Sequence, residues 1–138
     1  MKKAIRILSF LFIISFSSCE KIYWTNLKNS TNQNLILKIT LDKDSITKYN
    51  SNLSESKVIS FNNGGKLLKV DSLNYVVSFL LKPTEEYTFE GGLGVCPKFT
   101  EISKITIYGK DTLNINSRKE LFKYFKEEET RKYILEIK

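Results

Sequence analysis

Histidine is absent from this chain of 138 residues, cysteine and proline occur twice each, and methionine and tryptophan occur once. The missing histidine removes Ser-His-Asp and Cys-His catalytic arrangements and every histidine zinc site together. Cys19 and Cys96 are too few for a thiolate cluster or a disulfide scaffold, so no metal and no cofactor is expected. Dense positive charge is also missing. The 22 basic residues are scattered among 15 acidic ones with no Lys/Arg cluster and no recognition motif, which argues against nucleic acid as a partner. Long apolar runs are missing as well. The longest, Ile7 to Phe16, falls short of the roughly twenty residues a membrane-spanning helix needs.

That run has the length of a signal-peptide core, and Lys2, Lys3 and Arg6 supply the basic segment before it. Residues 1–18 therefore read as an export signal. These three cations account for three of the seven net positive charges, which leaves a mildly basic mature chain of +4. At roughly 120 residues it is long enough for one domain with its own core.

Phe16, Ser17, Ser18 and Cys19 place an apolar residue and two small ones before a cysteine. This resembles the lipobox of bacterial lipoproteins. The resemblance implies that the Cys19 thiol takes a diacylglyceryl group, that the signal is cut before it, and that the new amino terminus is acylated, with palmitate a typical chain. Cysteine suits this chemistry because its sulfur is a strong nucleophile. Two or more acyl chains hold a protein stably at a membrane that it does not span. Ordinary cleavage nearby is the alternative, leaving Cys19 free or bonded to Cys96 across a long loop. With Cys19 lipidated, Cys96 is left unpaired and expected to be packed as a small hydrophobe. The acidic cluster associated with surface export in some bacterial lipoproteins does not follow Cys19, so what the resemblance implies is an outer-membrane location facing the periplasm, with the cell surface as the alternative.

Residues 19–33 read as a tether with an edge-strand candidate at Ile22 to Asn26, followed by the single β-rich domain over 34–138. "LILKITL", 35–41, alternates Leu35, Leu37, Ile39 and Leu41 against a more polar face, the period of a half-buried strand. "KVISF" at 57–61 and "KLLKV" at 66–70 flank Asn63 and Gly64, a pair suited to a tight hairpin. "LNYVVSFLL", 73–81, is apolar on both faces and predicts a central strand whose second face a helix covers. Pro83 stops it, and "EEYTFE", 85–90, predicts a return strand and a second hairpin with Tyr87 and Phe89 inward. "ISKITIYG", 102–109, and "DTLNI", 111–115, are two further strands. Ser117 followed by Glu120 is a capping box opening a helix over roughly 118–130, with Glu127–Arg131 and Glu128–Lys132 one turn apart. "KYILEIK" closes the chain as a strand. The expected fold is mainly β, an antiparallel sandwich or sheet with one C-terminal helix, immunoglobulin-like in architecture only.

The segment "KITIYGKDTLNINSRKELFKYFKEEE", 104–129, together with "NSTNQNLILKI" behind the cysteine, resembles small Bacteroidetes lipoproteins of unknown function. That resemblance implies no activity. The tripeptides DSI, DSL and DTL, led by Asp44, Asp71 and Asp111, look like the O-glycosylation consensus of the same bacteria, with Ser45, Ser72 and Thr112 as acceptors. The competing explanation is that Asp with Ser or Thr marks turns, and it is favoured.

"GGLGVCP", 91–97, is the best candidate for an active loop, yet it lacks both the Lys-Ser/Thr of a phosphate loop and a neighbouring base. It reads as a connection around a packed cysteine. Glu85, Glu86 and Glu127 to Glu129 read as solvated charge, so no catalytic residue is assigned. The favoured function is a non-enzymatic, membrane-anchored binding or accessory domain with an envelope partner. The alternative is a small-molecule or glycan binder using exposed aromatics among Tyr23, Trp24, Tyr49, Tyr108 and Tyr124.

Overall fold

A computed structural model describes residues 22–48, 64–94 and 96–138. The expected signal at 1–18, Cys19, Tyr49, the strand expected at 57–61 and Asn63 of its expected hairpin lie outside these residues. The described chain runs β1 (Ile22–Asn29), β2 (Leu35–Leu41), α1 (Lys43–Thr47), β3 (Lys66–Asp71), β4 (Val76–Leu81), β5 (Glu86–Leu93), β6 (Ile102–Tyr108), β7 (Thr112–Ile115), α2 (Arg118–Tyr124), β8 (Lys126–Glu129) and β9 (Lys132–Ile137). One sheet has the order β5-β1-β9-β8 and the other β3-β4-β2-β6-β7. Their inner faces share one core, so the fold is the mainly β sandwich that strand periodicity predicts.

The core follows from alternation. Leu35, Leu37, Ile39 and Leu41 are buried on β2, opposite Val77, Phe79 and Leu81 of β4 and Ile105 and Ile107 of β6. Aromatic rings carry this core from one sheet to the other. Phe79 lies 4.8 Å from Tyr87, Tyr87 5.0 Å from Phe89, and Phe89 5.4 Å edge-on to Phe125. Burial also pushes the Tyr87 phenol well above its ordinary value.

Five features depart from the sequence expectations. β1 is interior, antiparallel to β5 and parallel to β9, so it is neither an edge strand nor a tether, and the sandwich is not wholly antiparallel. Two polar residues on its inner row, Thr25 and Asn29, disguise its buried face; both are fully buried. β4 and β5 do not form a hairpin, because Lys82 to Glu85 carry the chain from one sheet to the other. β4 is interior as expected, but its second face stays partly exposed at Val76 and Leu80. A short helix, α1, appears behind the Asp42 N-cap, whose carboxylate accepts the Ser45 N–H at 2.9 Å.

The fifth departure is the length of α2, which ends at Tyr124 instead of near 130. Ser117 caps it as expected, accepting the Glu120 N–H at 3.2 Å, while the Glu120 carboxylate reaches back to the Asn116 N–H at 2.7 Å. Phe125 then turns extended and buries its ring against Phe89 and Phe99. The next residues pair with β9, which satisfies backbone groups that a longer helix would leave unpaired. Glu127 and Arg131 still meet, with the Arg131 N–H donating to the carboxylate at 2.7 Å across the turn.

Candidate functional site

The two ends of the sandwich differ, and β1 links them. β1 enters at Ile22 and, after about 23 Å of extended chain, leaves at Asn29. Residues 30–34 turn there into β2, so Leu41 and α1 return to the Ile22 end. The connection through residues 96–101 lies at that end too, its Glu101 carbonyl accepting the Asp42 N–H at 2.8 Å.

At the Asn29 end a cleft of about 500 Å³ opens between the sheets. Leu35, Ile107, Leu113 and Ile137 supply its apolar floor, and Gln33, Lys110, Asp111, Thr112 and Lys138 stand around it. The wall made by Thr31 to Gln33 is held by Asn29. Its amide donates to the Gln33 and Leu81 carbonyls at 2.8 and 3.2 Å, and its oxygen accepts the Thr31 N–H and hydroxyl at 3.1 and 2.7 Å. Asn29 thus ties the loop, its own sheet and the facing sheet together. Beside the cleft, Ile36 and Tyr108 form an exposed cross-strand pair on the outer face. The cleft can hold a compact ligand or a protruding side chain, through apolar contact below and amide, hydroxyl or ammonium hydrogen bonds above.

At the Ile22 end, the glycines of "GGLGVCP" have a structural use. Gly91 and Gly92 lie in β5, not in a loop. A Cβ on Gly91 would overlap the Trp24 ring on the outer face, while Tyr23 packs over Gly92 and Gly94 on the inner face. A bulge between Thr25 and Asn26 turns Glu90 inward. Its carboxylate accepts the Tyr23 hydroxyl at 2.6 Å, the Phe99 N–H at 2.7 Å and the Lys98 N–H at 3.1 Å. Burial first and this hydrogen bond second push the Tyr23 phenol far above its ordinary value. Arg118 secures the same connection from α2, donating to the Phe99 and Thr100 carbonyls at 3.1 and 2.8 Å. Cys96 corrects one expectation. It is an exposed thiol, and Pro97 is the residue packed inward.

The other sequence-derived positions are dispersed. Tyr23 is buried, Trp24 lies on the outer face of the first sheet, Tyr108 at the cleft end and Tyr124 on α2, so these aromatics form no common platform. Ser72 and Thr112 are exposed and Ser45 is half-buried on α1. Asp71 accepts the Asn74 N–H at 3.1 Å through its side chain within a turn, and the backbone carbonyl of Asp111 accepts the Gly109 N–H at 3.2 Å. Among the described residues no helix is long and apolar enough to cross a membrane, and no His, Cys, Asp and Glu group gathers as a metal site. Comparison with known protein families, curated proteins and solved structures finds no match for the chain.

Proposed function

We propose that this chain is a bacterial lipoprotein, anchored through lipidated Cys19, whose sandwich is a non-catalytic binding or accessory domain for an envelope partner. The observation that carries the reading is the polarity of β1. It starts three residues after Cys19, and its other end builds the cleft. An anchor at the first end holds the cleft and the Ile36–Tyr108 pair away from the bilayer, where a partner can reach them. The outer membrane facing the periplasm is the proposed location, and the likeness to small Bacteroidetes lipoproteins belongs to the same proposal.

The cleft also favours a second reading, a small molecule held between Leu35, Ile107 and the Gln33–Lys110 rim. None of its lining residues is aromatic. A glycan stacked on the exposed tyrosines is therefore the weaker form of that alternative.

The test is mass spectrometry of the protein isolated from membranes, native against Cys19→Ser, followed by photocrosslinking from position 32 or 110. A diacylglyceryl mass on a peptide starting at Cys19, with crosslinks from the cleft end, supports the proposal. An unmodified Cys19 in a soluble chain overturns it.

A further inference from the structure

Outside the core, the apolar residues at the anchor end follow an order. Ile22 and Leu93 are direct partners across β1 and β5, and Trp24 stands opposite Gly91 in the next row. These side chains share the outer face of the sheet and are 51%, 60% and 52% exposed. Trp24 is pinned, because its ring fills the space a side chain on Gly91 would take. Further along β1 and β5 the face turns polar at once. Asn26 donates to the Glu86 carboxylate at 2.9 Å and accepts the Thr88 hydroxyl at 3.1 Å. The apolar surface of these two strands is thus confined to the two rows nearest the chain's entry. Lys132, the β9 partner of Trp24, flanks it with an ammonium. In the facing sheet, Leu73 is 91% exposed at the turn that meets Leu41, again at this end.

We propose that Ile22, Trp24 and Leu93 form a membrane-resting face, seated in the headgroup boundary of the bilayer that holds the anchor. This rests on the lipidation of Cys19. Only Glu20 and Lys21 separate that residue from Ile22, so an extended chain spans about 10 Å at most between anchor and patch. A sandwich tethered so closely brings this end to the lipid surface, and the outer rows of β1 and β5 supply the apolar contact there. A Trp ring with an adjacent lysine is the pairing that an interface accommodates, ring at the acyl boundary and ammonium among the headgroups. The face fixes how the domain stands. Its polar rows and the cleft point toward the aqueous side.

Trp24 is the sole tryptophan, so its fluorescence reports this face alone. The native lipidated protein is reconstituted into phosphatidylcholine vesicles with plain or brominated acyl chains, its diacylglyceryl mass confirmed on the same sample. Emission at least twofold lower in brominated vesicles, with iodide quenching reduced, is the expected result. An Ile22→Asp/Leu93→Asp variant that is lipidated and folded by circular dichroism should lose the bromine quenching. Lipidated protein whose Trp24 is quenched by iodide as freely as in soluble Cys19→Ser overturns the face while leaving the anchor standing. A concentration-dependent emission shift without vesicles overturns it in favour of a second copy. Protein without the diacylglyceryl mass that stays in solution overturns the anchor, and this face with it.

Discussion

Asn29 is the residue at which the reasoning about the cleft is most exposed to test. Its amide orientation is forced, because the oxygen faces the Thr31 N–H and the nitrogen faces two carbonyls. Asn29→Ala removes four hydrogen bonds. A neutral bond contributes about 1 kcal/mol net, and water can replace part of the loss at the exposed Thr31–Gln33 loop but not at the buried Leu81 carbonyl. The expected cost is about 2–3 kcal/mol, a fall in Tm of about 10–15 °C for a domain of this size.

Asn29→Asp is the sharper variant. It keeps the shape and both accepted bonds, yet turns an oxygen toward the Leu81 and Gln33 carbonyls and buries a charge. At pH 7 it should cost more than the alanine, about 3–5 kcal/mol. Burial and the facing carbonyls would raise this carboxyl above its unfolded value, so the variant should regain stability as pH falls from that raised value toward about 4. The assay is thermal and urea unfolding of soluble Cys19→Ser protein by far-UV circular dichroism, at pH 7 and pH 5. An aspartate as stable as wild type within about 0.5 kcal/mol, or one with no pH dependence beyond that of wild type, would refute the network.

Three further outcomes are expected. Glu90→Ala, which strips the Tyr23 hydroxyl and two backbone N–H groups of their acceptor, should cost about 3–4 kcal/mol in urea unfolding, and a loss below about 1 kcal/mol would deny that Glu90 ties down the connection at Lys98 and Phe99. Asp42 is held below the usual carboxylate range by the Ser45 N–H first, with the Arg118 charge contributing; its capping stability is present above about pH 4 and lost as pH falls through the lowered value, so Asp42→Asn should flatten unfolding curves in that acid window, and Asp42→Ala should cost about 1 kcal/mol at neutral pH. Exposed Cys96 should react with maleimide in the folded protein, giving one titratable thiol per chain if Cys19 is lipidated, two if both are free and none if they are bridged.

What the sequence discloses depends on whether a local pattern agrees with its tertiary use. β2 and β7 alternate between buried apolar and more exposed residues, so period reveals them, while β4, β6 and β9 are legible as short runs of β-branched and aromatic residues although both of their faces carry apolar or buried positions. The Ser117 cap is equally plain, since its bonds are local. The end of α2 is not, because the pull on Phe125 comes from Phe89 and Phe99, distant in sequence. Pro83 correctly signals that β4 stops, yet no local feature tells a hairpin from a crossover between sheets. The cleft is illegible in the sequence for the same reason. Its floor is ordinary core-forming sequence, and Asn29 looks like one more loop residue in an Asn-rich stretch until its partners on the facing sheet are seen.

β1 is hard to recognise from the sequence because its polarity is inverted. Its outer row begins with Ile22 and Trp24, and its inner row, Tyr23, Thr25, Leu27 and Asn29, carries two polar residues and a phenol. Shifting a strand by one residue exchanges its faces. Here the shift would place Ile22, Trp24 and Lys28 in the core and expose Tyr23 and Leu27. Hydrophobicity alone discriminates poorly between these registers, because both rows are mixed. Hydrogen bonding discriminates well: Tyr23 and Thr25 have Glu90 as partner on β5, and Asn29 has Leu81 and Gln33. The polar residues that hide this strand in the sequence therefore fix its register in the fold. The same register puts Trp24 outward at the Ile22 end and seats Asn29 under the cleft wall. A substitution that loosens either end of β1 should therefore be felt at both surfaces, although about 23 Å of strand separates them.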